Sequence, residues 1–133
     1  MNEQADVFLI VDDEPDMCWA LEHICKKNGL ASMKAFTGHE AIELMEGNCF
    51  SLAFLDAKLP DIEGIELARQ IRRRDPNVRI LMISGYFYRD DDAVQKALTE
   101  GLINGFIGKP FDHDEILKAI ETTRIPKKNR PSH

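Results

Sequence analysis

The stretch Ser51–Gly64 reads SLAFLDAKLPDIEG. Its apolar run, Leu52-Ala53-Phe54-Leu55, stops at Asp56, and Pro60 and Gly64 follow within eight residues. A nearly continuous apolar run of this length is what a parallel strand covered on both faces requires. A carboxylate closing such a run is costly to bury without a partner. The run decides the fold, and the acid at its end poses the functional question.

Working outward, VFLIV (7–11) and VRILMIS (78–84) are runs of the same kind, and ASMKAF (31–36) and INGFI (103–107) are further strand candidates. Between them the apolar residues fall at helical spacing. Ala20, Leu21 and Ile24 share a face, as do Ala41, Leu44 and Met45, Ala68 and Ile71, Val94, Ala97 and Leu98, and Ile116, Leu117 and Ile120. Thr37-x-x-Glu40 and Asp112-x-x-Glu115 have the spacing of capping boxes. Gly29, Gly47 and Gly101 stand where helices should end, and Pro76 follows a helix closing in Arg72, Arg73 and Arg74. That arginine run reads as a solvated last turn complementing the helix dipole.

The pattern is therefore β-α repeated five times with short connections. Right-handed crossovers turn it into one parallel sheet with helices on both faces, an α/β doubly wound (βα)5 fold. Residues 1–123 form the domain. Residues 124–133 turn basic and lose periodicity, as a tail or the start of a linker does.

A chain of 133 residues with 44% apolar content fits one domain with its own core. The formal charge of -6 argues against a broad nucleic-acid-binding surface. No apolar stretch approaches the length of a membrane span, and MNEQADV is not a signal peptide. Cys18, Cys25 and Cys49 form no CxxC or Cys/His motif and read as buried thiols in a reducing cytoplasm.

Such sheets gather their functional groups at the carboxyl ends of the strands. Strand one ends in Asp12, Asp13 and Glu14, strand three in Asp56, strand four in Ser84-Gly85, and strand five in Lys109-Pro110-Phe111. With strand order 2-1-3-4-5 these ends are successive neighbours. Two carboxylates about 4 Å apart repel by roughly 4 kcal/mol at an effective dielectric of 20. One lysine does not neutralise the trio, and a hard divalent ion suits it, whereas the His and Cys ligands that favour zinc are missing. A phosphoryl group on one of these acids would be neutralised by Mg²⁺ and Lys109, with the Ser84 hydroxyl donating to it. Asp56 is the best acceptor, since Asp12 and Asp13 are more useful as metal ligands. Taken singly, each acid also fits a helix cap, and Asp12, Asp13, Glu14 and Asp16 do precede a helix with Pro15 in its first turn.

Together IVDDEPD, FLDAKLPDIEG, MISGY and GFIGKPF resemble the signature segments of the response-regulator receiver domain of two-component signalling, in the style of the chemotaxis regulators. The match runs from about Asp6 to Thr123. The resemblance implies a flavodoxin-like fold and a phosphoprotein that catalyses only its own phosphorylation and dephosphorylation, not an enzyme with a separate substrate. It implies that Asp56 accepts a phosphoryl group from a sensor histidine kinase or a phosphotransfer protein. Asp13 would bind Mg²⁺ (or Mn²⁺) directly, Asp12 mainly through water, and the Lys58 backbone carbonyl would be the third protein ligand. Ser84 and Lys109 would hold the phosphoryl oxygens, and the Lys109–Pro110 bond would be cis. Phe106 would be the switch aromatic that follows Ser84 and alters the surface of the last two helices and last strand. An output domain or effector protein would read that surface, and a homodimer is one further option.

Departures from the family pattern are visible. From Ser84 to Lys109 the chain is a few residues longer than is usual, with the surplus around YFYRDDD and TEGLIN, so a displaced fourth helix or a displaced loop before it is expected. Tyr86, Phe87 and Tyr88 form an aromatic cluster that packs over the site or marks a partner surface. Lys58 and Tyr86 occupy positions at which the family tunes phosphoryl lifetime. A haloacid-dehalogenase-type phosphatase needs a second Asp where Lys58 stands. An FMN-binding flavodoxin needs a phosphate loop where VDDEPD would repel one. A degenerate receiver serving only as an interaction module is the remaining alternative.

Overall fold

The computed structural model describes residues 7–85 and 92–123. Along the chain these form β1 (Val7–Val11), α1 (Pro15–Lys27), β2 (Ala31–Ala35), α2 (Gly38–Gly47), β3 (Leu52–Asp56), α3 (Gly64–Arg74), β4 (Arg79–Ser84), α4 (Asp92–Thr99), β5 (Gly105–Gly108) and α5 (His113–Thr123). The strands pair in parallel in the order β2-β1-β3-β4-β5. The expected doubly wound α/β architecture and strand order are the ones found.

Two apolar layers sandwich the sheet. Phe8, Ile10, Leu52, Phe54, Leu81, Ile83 and Ile107 face α1 and α5, meeting Cys18, Leu21, Ile24, Ile116 and Ile120. Leu9, Val11, Ala53, Leu55, Ile80 and Met82 face the other way, toward Ala41, Leu67, Ile71, Val94 and Ala97. β3 is buried at every position, which explains its unbroken apolar run. The buried stripe of α1 is Cys18, Leu21, Ile24 and Cys25, so two cysteines take up core positions while Ala20 lies at the margin. Cys49, by contrast, is exposed.

The boundary signals act as expected, with some differences in detail. Asp112 and Glu115 form a reciprocal capping box, each side chain accepting the other's backbone N–H at 2.8–2.9 Å. Thr37 accepts from Glu40 N at 3.0 Å, but Glu40 reaches back to Phe36 N rather than to Thr37 N. Gly29 and Gly101 have φ of 73° and 78°, the left-handed geometry of a helix stop. Gly47 is instead the last residue of α2.

The fifth strand begins later than its apolar run suggests, at Gly105 and not Ile103. Ile103 is buried in the core, and Asn104 turns its side-chain oxygen onto Ile80 N at 2.8 Å. The same oxygen meets Arg72, and this corrects the reading of the arginine run. Arg72 is half-buried, donating to the carbonyls of Pro76 (3.1 Å), Val78 and Leu102 (3.0 Å) and to Asn104 Oδ1 (3.2 Å). One guanidinium thus joins the end of α3 to the entries of β4 and β5, while Arg73 and Arg74 remain exposed.

Candidate functional site

Period-two alternation brings the site together. Asp12 follows Ile10, Asp56 follows Phe54, and Lys109 follows Ile107, so all three continue the sheet face that packs on α1 and α5. Ser84 follows Met82 on the opposite face, which is lined by α3 and α4. Phe106 pairs with Met82, and Gly108 pairs with Ser84, placing Phe106 one step below Ser84 on that same face. Phe106 is half-buried against this second layer.

Asp12, Asp56 and Ser84 are the buried polar residues among those described. Asp12, Asp13 and Asp56 each offer a carboxylate oxygen, and these oxygens lie within 4.8 Å of one another. Lys109 Nζ stands 3.0 Å from Asp12 Oδ2, 3.4 Å from Glu14 Oε1 and 3.6 Å from Asp56 Oδ1. The Lys109 backbone N–H donates to Ser84 O at 2.7 Å, and the following Lys109–Pro110 bond is cis. Asp13, Glu14, Asp56, Lys58, Ser84, Gly85 and Lys109 line an open cavity of about 470 Å³. A Cβ on Gly85 would meet the Lys109 side chain at an ordinary 3.7 Å, so space alone does not demand glycine there.

The N-cap of α1 carries no side-chain capping bond, and of the acids Asp12, Asp13, Glu14 and Asp16, Asp16 stands in its first turn. Asp12 Oδ1 accepts Glu14 N at 2.9 Å, a local turn that aims its other oxygen at Lys109. Glu14 occupies the N-cap of α1 but makes no side-chain capping bond, and its carboxylate goes to Lys109 instead. This ion pair joins residues 95 positions apart, at the ends of β1 and β5.

The electrostatics follow from burial. Desolvation and then the neighbouring charge of Asp12 push Asp56 up to about 6, against the opposing pull of Lys109. Asp12 is also raised, since burial costs it more than Glu14 N–H and Lys109 return. Burial works against the Lys109 ammonium, yet Asp12, Asp56 and Glu14 outweigh it and raise its pKa. Three oxygen donors around a cavity with a cation deficit fit Mg²⁺, which binds through one or two carboxylates and keeps waters.

The loop from Ala57 to Gly64 is a narrow clasp. Gly64 N donates to Ala57 O at 2.8 Å, and Lys58 and Glu63 form an antiparallel bridge. A Cβ on Gly64 would lie 2.5 Å from the Asp56 carbonyl, so only glycine closes the loop against the end of β3. Of the longer Ser84–Lys109 segment, Tyr86, Phe87, Tyr88 and the rest of 86–91 lie outside the described residues.

Known proteins resemble this chain over most of its length. The response regulator receiver domain family model matches residues 8–121. Sporulation initiation phosphotransferase F of Bacillus subtilis is 31% identical over 121 residues, 91% of this chain and 93% of that protein. The DNA-binding transcriptional regulator NtrC of Escherichia coli is 27% identical over 118 residues, 89% of this chain but only 24% of that longer protein. Among solved structures, a CheY-like receiver domain protein from Methanospirillum hungatei superposes with a TM-score of 0.81 at 28% identity, covering 90% of this chain and 93% of that one. The response regulator TrrA from Thermotoga maritima, solved in complex with Mg²⁺-BeF, gives 0.77 at 26% identity, covering 90% and 99%. The chain belongs to the response regulator receiver domain family.

Proposed function

We propose that Asp56 accepts a phosphoryl group from a phosphohistidine on a sensor histidine kinase or phosphotransfer protein. The observation that carries this reading is one buried carboxylate, Asp56, flanked by Lys109 at 3.6 Å and by the oxygens of Asp12 and Asp13. An Asp56 oxygen attacks phosphorus as the P–N bond to the donor imidazole breaks, and the imidazole nitrogen retains the bonding pair and takes up a proton. Hydrolysis reverses the modification, with water adding to phosphorus and the carboxylate leaving, so that phosphate is released.

Asp13, Asp12, Asp56 and the Lys58 carbonyl would hold Mg²⁺. Bound there, the ion supplies positive charge to the acids and to the transferring phosphoryl oxygens. Lys109 neutralises a further oxygen and the Ser84 hydroxyl donates to another, which draws Ser84 toward the acyl phosphate. Phe106, one step below on the same face, turns into the space this leaves, and the α4-β5-α5 surface changes for an output domain or effector. Residues 1–123 make up the receiver, and 124–133 a tail or linker. No described helix is long and apolar enough to cross a membrane, and a cytoplasmic setting accompanies this role.

Incubation with a small acyl phosphate donor and Mg²⁺ tests the reading: wild type takes up one phosphoryl group and Asp56→Asn takes up none. No uptake from any donor, together with no response to beryllofluoride, would favour a phosphorylation-independent interaction module.

A further inference from the structure

We infer that Asp61 is a positioning residue for the phosphoryl site, acting through the loop that carries Lys58. The inference rests on the Mg²⁺-dependent reading above and deepens it.

Asp61 lies at the tip of the β3–α3 clasp and its side chain does not point toward the acidic cluster. Its Oδ1 accepts Gly38 N at 2.9 Å and its Oδ2 accepts His39 N at 3.0 Å. Both are unsatisfied amides of the first turn of α2, so the carboxylate caps a helix 22 residues away in sequence. The Gly38 N–H first, and then the His39 N–H, hold the Asp61 carboxyl below its ordinary range. Beside it, Ile62 packs so closely on Gly38 that any Cβ there would overlap Ile62 Cγ2. One polar and one apolar anchor therefore fasten adjacent loop residues to the same turn of α2.

The other end of the loop is fastened at the site. Gly64 N donates to Ala57 O at 2.8 Å, Leu59 N donates to Ile62 O at 3.3 Å, and Lys58 pairs with Glu63 in an antiparallel bridge. Lys58 thus sits between two fixed points, the end of β3 and the start of α2. Without the Asp61 bonds the segment offering the third metal ligand would lose its polar anchor on α2 and keep the Ala57–Gly64 base, the Leu59–Ile62 bond, the Lys58–Glu63 bridge and the Ile62 packing. Outer groups that orient a ligand commonly change metal affinity by an order of magnitude or more.

The test is Mg²⁺ titration by calorimetry of wild type, Asp61→Ala, Asp61→Asn and Glu40→Ala, with amide exchange at Gly38 and His39. Glu40→Ala is the control, because Glu40 caps the same turn through Phe36 N without touching the loop. Asp61→Ala should weaken Mg²⁺ binding about tenfold, with Asp61→Asn, which keeps one acceptor, in between and Glu40→Ala like wild type. In wild type, Mg²⁺ should also slow exchange at Gly38 and His39, and in Asp61→Ala it should not. Unchanged affinity in Asp61→Ala, or an equal loss in Glu40→Ala, overturns the inference while leaving the phosphoryl-transfer reading standing. Failure of wild type itself to bind Mg²⁺ overturns both.

Discussion

Lys109 Nζ stands 3.0 Å from Asp12 Oδ2, closer than it stands to Asp56. The lysine is held by the neighbour of the acceptor more than by the acceptor, so its charge is in place before any phosphoryl group arrives. It also serves three carboxylates at once, since Glu14 lies at 3.4 Å. Lys109→Ala should therefore destabilise the metal-free protein by about 1–3 kcal/mol, less than a fully buried pair because the cavity opens to solvent. Mg²⁺ should recover more stability in this variant than in wild type, because it replaces the missing charge. Urea titrations with and without Mg²⁺ check both; an equal response of the two proteins to Mg²⁺ would refute the charge argument.

Asp56 makes the opposite prediction. Its native carboxyl keeps a proton up to about 6, whereas the unfolded chain releases it near 3.8. Stability from this group is full below 3.8 and is lost as the pH rises through about 6. In metal-free buffer at pH 7, Asp56→Asn should then be more stable than wild type by up to about 3 kcal/mol. The gap should shrink as the pH falls toward 4. A gap that stays constant with pH would show that Asp56 is not the strained group.

Asp13 is exposed and belongs to the acidic trio without touching Lys109 within ion-pair range. Asp13→Asn should leave the metal-free protein at least as stable as wild type, because it removes a like charge beside Asp56. At a Mg²⁺ concentration a hundredfold above its dissociation constant, wild type gains about 2.7 kcal/mol. The variant should gain little of this. Thermal melts at several Mg²⁺ concentrations distinguish the two, and an undiminished gain would remove Asp13 from the ligand set.

Arg72 tests the scaffold away from the site. Its guanidinium serves four acceptors on two connections, so Arg72→Ala should cost about 2–4 kcal/mol. Lysine cannot reproduce a planar fork, and Arg72→Lys should recover less than half of the loss. Full recovery by lysine would mean that charge rather than geometry fastens α3 to β4 and β5.

Local information accounts for what could be read from the chain alone. The LAFL run of β3, the VFLIV run of β1 and the Asp112–Glu115 box each lie within a few residues, and their periodicity encodes their structure. The gathering of Asp12, Asp13, Asp56 and Lys109 was legible because chemistry at four strand ends agreed with one topology. Three contacts between distant segments were not legible. Arg72 looked like a solvated helix end because two of its four acceptors, Leu102 and Asn104, lie 30 or more residues away. Glu14 fitted a helix cap as well as the acidic cluster, and nothing in the residues around Asp61 signalled its bonds to α2. The start of β5 was misjudged because Ile103 is apolar for the core, not for a ladder.

The most direct test of the account is where the phosphoryl group goes. Wild-type protein is treated with phosphorylated donor and Mg²⁺, the acyl phosphate is trapped by borohydride reduction, and the peptides are sequenced by mass spectrometry. The account predicts one modified residue, Asp56, with no label when Mg²⁺ is chelated. Label on Asp12 or Asp13, or equal label in Asp56→Asn, would contradict it.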